Sequence, residues 1–154
     1  MSNAKQRLID MGRARDYMIV DTPGAYMDIV TDALHAADAI AIPVRPSLLD
    51  IVAQQDISTP ISGLDKSAAA LLVLNMVDQR ATAAAKAAMK KIEPMFPNKP
   101  VWVSQRASYS RASETGRAGI EIDKKAAQEI TDLWKAITKI LKKGKGRNAS
   151  VQTR

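Results

Sequence analysis

Four places in this 154-residue sequence set polar side chains directly after short apolar runs, where an α/β sheet would present them to a ligand. The first is Asp21-Thr22-Pro23-Gly24, following Tyr17-Met18-Ile19-Val20. A carboxylate at the tip of a buried strand is costly unless it is paired or positions a cation such as Mg²⁺. The glycine after it would let backbone approach a phosphate, and the same four residues also make a good turn. The second is Ser47-Leu48-Leu49-Asp50, whose S-x-x-D spacing makes a capping box and places polar groups in a loop at a strand end. The third is Asn75, whose amide could read a base edge or bond its own turn. The fourth is Ser104-Gln105-Arg106, a ligand contact or a surface charge.

The surrounding pattern predicts the elements that would hold these residues. Strands are expected at 17–21, 39–44, 69–74 and 101–103. The run Ala39-Ile40-Ala41-Ile42-Pro43-Val44 is continuously apolar, as in a strand buried on both faces. Helices are expected at 5–14, 25–37, 47–58 and 78–92, the last for its alanine content, with a short one after Ser104. The order predicts an α/β fold with a mostly parallel sheet flanked by helices. Trp102 and Trp134 are expected in the core.

The clearest element is the final helix. Asp123 is its expected N-cap, and Gly144 its expected stop. Ala126, Ile130, Leu133, Trp134, Ile137, Ile140 and Leu141 recur at helical spacing on one face. Lys135, Lys139 and Lys142 fall on the other. Charge is uneven: residues 1–100 hold 11 basic and 11 acidic residues, whereas 101–154 hold 12 against 5, so the whole net charge of +7 lies in the last third. Such an end suits a polyanion or serves as a solvated face.

Other classes find little support. There is no cysteine, hence no disulfide framework or thiolate metal site. The single histidine, His35, lies in an alanine-rich helical stretch without a nucleophile motif. No apolar run approaches the roughly 20 residues of a membrane span, and the expected location is the cytoplasm.

Taken in order, D-Y-M-I-V-D-T-P-G (16–24), I-A-I-P-V-R-P-S-L-L-D-I (40–51), V-L-N-M-V-D-Q-R (73–80) and S-Q-R-A-S-Y-S-R-A-S-E-T-G-R-A-G-I-E-I-D (104–123) precede an amphipathic helix. Over about residues 8–142 this resembles the ParA/MinD family of partition ATPases, with DTPG as its Walker B and switch II segment. The resemblance implies a P-loop NTPase-like sheet that uses ATP and Mg²⁺. It implies that Asp21 positions Mg²⁺, Gly24 senses the γ-phosphate, and Asn75 lies near the adenine with Arg106 in the same pocket. It further implies non-specific DNA contact, placed on Arg111, Arg117, Lys135, Lys139 and Lys142, and association with the nucleoid. The partners implied are a centromere-binding partition protein and a second subunit, as homodimer or as heterodimer with an intact relative, without a membrane role.

The family's K-G-G-x-G-K-[ST] loop is not among these residues. The expectation is therefore the carboxy-terminal two-thirds of the family fold, its amino-terminal strands absent. It would form one domain over 1–143 with a basic disordered tail at 144–154, and would lack autonomous ATPase activity. The alternative is a non-catalytic ParA-like module that binds DNA or a partner.

Overall fold

The computed structural model describes residues 3–22, 27–47, 50, 55–78, 83, 87, 90, 94 and 96–151. Its centre is a parallel sheet of β1 (Ile40–Val44), β2 (Ala70–Val77) and β3 (Val101–Ser104), in the order β1-β2-β3. Helices α1 (Asn3–Gly12), α2 (Met27–Ala36) and α3 (Gln55–Gly63) come from the first half of the chain. Helices α4 (Ala107–Glu114), α5 (Gly119–Ile122) and α6 (Lys124–Val151) follow β3. This is an α/β fold with helices on both faces of a parallel sheet.

Two apolar clusters explain the layering. Ile40, Ile42 and Val44 of β1 and Leu72, Leu74 and Val77 of β2 meet Leu34 of α2, Ile61 of α3 and Phe96 on one face. Leu71 and Val73 of β2 and Val103 of β3 meet Ile140 on the other, with Ile130, Leu133 and Ile137 of α6 packed around them. Leu71, Leu72, Leu74 and Ile61 are at most 1% exposed. Each contributes about 1.5–3 kcal/mol by leaving water. The continuous apolar sequence of β2 is thus what a strand covered on both faces requires.

Three expectations are corrected by this packing. Residues 17–20 form no strand: the segment is irregular, and Ile19 is 89% exposed. Apolar, β-branched residues fit a strand only when a neighbouring strand supplies a ladder, and none does here. β1 is not buried on both faces, since Ala41 and Pro43 are exposed while Ile40, Ile42 and Val44 are buried. The α6 layer covers β2 and β3 and leaves this side of the edge strand open. Trp134 is 42% exposed, because the stripe that meets the sheet runs through Leu133, Ile137 and Ile140 and passes it by. Its ring instead meets the edge of Tyr17, with centroids 5.0 Å apart.

Boundaries also move. α3 ends at Gly63 rather than near residue 58, carried past Pro60 by the fully buried Ile61. β2 extends to Val77, and α6 runs through Gly144 to Val151, so that glycine does not stop it. Of the alanine-rich stretch 78–92, Ala83, Ala87 and Lys90 are helical and most of the rest lies outside the described residues, as do 152–154. Asp123 caps α6 as expected, its Oδ1 accepting the amides of Lys125 at 2.8 Å and Ala126 at 3.3 Å.

Candidate functional site

All three strands run the same way, so their carboxyl ends bring together Arg45–Ser47, Asn75–Asp78 and Gln105–Arg106 at one rim of the sheet. At that rim β2 carries a bulge. Leu74 faces Trp102 and Val77 faces Ser104, so Asn75 and Met76 together oppose one residue of β3. Met76 takes a φ of 56°, an uncommon conformation for a bulky residue. The Asn75 Oδ1 accepts the Met76 amide at 2.9 Å. The bulge turns Asn75 out to solvent with its carbonyl already engaged.

Ser47 and Asp50 behave as a helix-initiating pair. The Ser47 hydroxyl accepts the Asp50 amide at 3.1 Å and donates to the Asp50 Oδ2 at 2.6 Å.

Arg106 is held by an internal partner. Its Nη2 donates to Glu129 Oε1 at 2.6 Å and its Nε to Oε2 at 3.2 Å. The same carboxylate accepts the Ser104 hydroxyl at 2.7 Å and the Ser104 amide at 3.2 Å. Burial pushes the Glu129 carboxyl up, but the bonds from Arg106 and Ser104 outweigh it and hold the group below the usual carboxylate range. Beside this pair, the Ser108 hydroxyl donates to Asp123 Oδ2 at 2.8 Å. That bond, with the Ala126 and Lys125 amides, lowers the Asp123 pKa as well. The cluster fastens the turn after β3 to the first two turns of α6.

Asp21 is exposed at the end of the irregular segment, and Gly24 lies outside the described residues. Among the described residues no hydrogen bond or ion pair joins Asp21, Asn75 and Arg106, and no group of three acidic or histidine side chains could hold a metal ion. Arg106 is held by Glu129, and Asn75 Oδ1 accepts the Met76 amide while its NH2 group faces solvent. Among the described residues these three side chains are therefore not joined into one site.

The basic face of α6 is better formed. Lys135, Thr138, Lys139, Lys142 and Lys143 share one face of the helix. Lys139 and Lys142 are exposed, and Lys135 pairs loosely with Asp132 at 3.6 Å. Seven residues of helix separate Lys135 from Lys142, a rise of about 10 Å. Arg111 on α4 and Arg117 in the turn after it lie on other elements, and Arg117 pairs with Glu121 at 3.7 Å. The structure therefore gathers the three expected lysines without the two arginines. It adds Lys143, whose place on the same face follows from its helical spacing. Glu129 was not legible as a partner of Arg106, because 23 residues separate the two and only the tertiary fold joins them.

The sheet and its helices define the class as an α/β fold of the P-loop NTPase type. A family model described as ATPase MipZ matches residues 2–94, more than half of the chain. The chain belongs to that family, which is of the ParA/MinD type. No curated protein and no solved structure matches it. The family implies nucleotide and Mg²⁺ use in general, and the lysine face lies beyond the matched residues. Among the described residues no helix is long and apolar enough to cross a membrane.

Proposed function

We propose that this chain serves a ParA/MinD-type partition system as a DNA-contacting component, binding duplex phosphates through α6 rather than turning over ATP with these residues alone. The carrying observation is the row of Lys135, Lys139, Lys142 and Lys143 on one face of α6, in a chain of net charge +7. A lysine row about 10 Å long matches roughly three phosphates of one strand, at about 3.4 Å of helix axis each. The contact is to backbone charge, so it is insensitive to sequence and strongly sensitive to salt. Association with the nucleoid and with a centromere-binding partition protein would follow from this role. An ATP-driven role in DNA segregation is the second reading, favoured by the family match over 2–94, which contains Asp21.

The test is fluorescence anisotropy of a labelled duplex against the purified chain over a range of salt. Binding with a steep salt slope, reduced alike for unrelated sequences when Lys135, Lys139 and Lys142 are changed together to Gln, supports the proposal. Binding that survives the triple change with an unchanged slope overturns it.

A further inference from the structure

The fold leaves two large aromatic residues in water, side by side. Trp134 is 42% and Tyr17 58% exposed, and their rings meet edge to face, with centroids 5.0 Å apart and planes inclined at 70°. Each ring helps to fix the other, while much of the surface of both stays open to a planar ligand.

The pair borders the lysine row of α6. With 3.6 residues per turn, Trp134 stands about 40° around the helix from Thr138 and about 100° from Lys135, on the flank opposite Asp132. Thr131 and Thr138 fill the strip between the indole and the lysines. Both are uncharged, and their hydroxyls donate back to the helix, Thr131 to the Ala127 carbonyl at 2.7 Å and Thr138 to the Trp134 carbonyl at 3.0 Å. Among the described residues no carboxylate of α6 therefore stands between the aromatic pair and Lys135, Lys139 and Lys142. Beside Tyr17, Arg15 and Asp16 offset one another in charge.

A duplex has little use for such rings. Its bases are paired and stacked on one another, so a ring on a protein surface meets sugar and phosphate. An unpaired strand offers base faces together with its phosphates, and single-strand sites combine cations for the backbone with aromatic rings for the bases. We infer that the α6 face takes single-stranded DNA in preference to duplex, its phosphates on Lys135, Lys139 and Lys142 and an unpaired base stacked on the Trp134–Tyr17 pair. The inference rests on the reading of those lysines as phosphate contacts, and adds which form of the strand they select. Every base has a face to stack, so the site stays indifferent to sequence.

The experiment is fluorescence anisotropy of labelled oligo(dT), and of a duplex of the same length, against the full 154-residue chain. It is run beside Trp134→Leu, Tyr17→Ala and the joint change of Lys135, Lys139 and Lys142 to Gln, each checked for fold by circular dichroism. Tyr17 lies in an irregular, exposed segment, so Tyr17→Ala tests the pair should Trp134→Leu fail to fold. The parent binds oligo(dT) more tightly than duplex. The margin widens as salt rises, because the salt slope per phosphate is about 0.7 for single strands and about 0.9 for duplex. Trp134→Leu weakens oligo(dT) binding about tenfold and leaves duplex binding unchanged, and Tyr17→Ala weakens oligo(dT) by less. Oligo(dT) quenches the tryptophan emission of the parent, and the quenching is lost in Trp134→Leu. Equal affinity for the two forms, or a loss at Trp134→Leu shared equally by both, overturns this inference and leaves the phosphate reading standing. Binding of both forms unchanged by the triple lysine substitution overturns the two together.

Discussion

Arg106 and Glu129 form a two-pronged ion pair, at 2.6 and 3.2 Å, that joins the turn after β3 to the second turn of α6. Both side chains are mostly buried, with 14% and 18% of their surface exposed. Removing one partner therefore strands the other away from full solvation. Glu129→Gln should lower the unfolding free energy by about 1–3 kcal/mol, read from urea titration. Pairing it with Arg106→Met in a double-mutant cycle should return part of that loss, and strict additivity would contradict a direct interaction.

The same carboxylate sets a pH dependence. Glu129 and Asp123 both have folded pKa values below their usual ones, so the unfolded chain binds more protons as acidity rises. Their contribution is complete above the ordinary carboxylate range, near about 4, and is lost as pH falls toward the folded values. The urea midpoint should stay level near neutrality and drop on acidification, more shallowly in Glu129→Gln. An identical acid limb in the variant would count against this source.

Tyr109 illustrates a local cost. Its hydroxyl is buried without a hydrogen-bond partner among the described residues, while its ring packs in the cluster beneath α6. Tyr109→Phe should be neutral or stabilise by about 1 kcal/mol. Gly119 is fixed by the same ring, since a Cβ there would come within 2.5 Å of Tyr109 Cδ1. Gly119→Ala should cost about 1–3 kcal/mol through displacement of the ring, and a melt unchanged by that substitution would refute the contact.

The lysines of α6 need not contribute equally to DNA binding. Lys135 shares its charge with Asp132, whereas Lys139 and Lys142 are exposed and form no ion pair among the described residues. In anisotropy titrations each of Lys139→Gln and Lys142→Gln should reduce the salt slope by about 0.9, and Lys135→Gln by less. Asp132→Asn should strengthen binding by freeing Lys135. Equal losses at all three lysines would show that the Asp132 pair is broken on DNA.

Mg²⁺-dependent binding of a fluorescent ATP analogue should be undetectable for this chain alone and unaffected by Asp21→Ala. Saturable binding that Asp21→Ala abolishes would restore a nucleotide site to these residues and favour the ATP-driven reading.

Local signals alone fixed much of this protein. The apolar runs of β1, β2 and β3, the S-x-x-D pair at Ser47 and Asp50, the Asp123 cap and the two-faced pattern of α6 are all written in spacings of a few residues, where propensity, capping and periodicity act. Pairing was decided only by the tertiary structure. Residues 17–20 have the composition of a strand, but strand formation depends on a neighbour, and no sequence spacing supplies one. Trp134 has the spacing of a core residue, but a helix meets a sheet along one narrow stripe, and a rotation of one position leaves its ring against Tyr17 instead. Arg106 looked free for a ligand until the fold brought Glu129 to it across 23 residues. Contacts at that separation cost chain entropy that only the assembled core can offset, which is why the fold, and not the motif, determined what Arg106 holds.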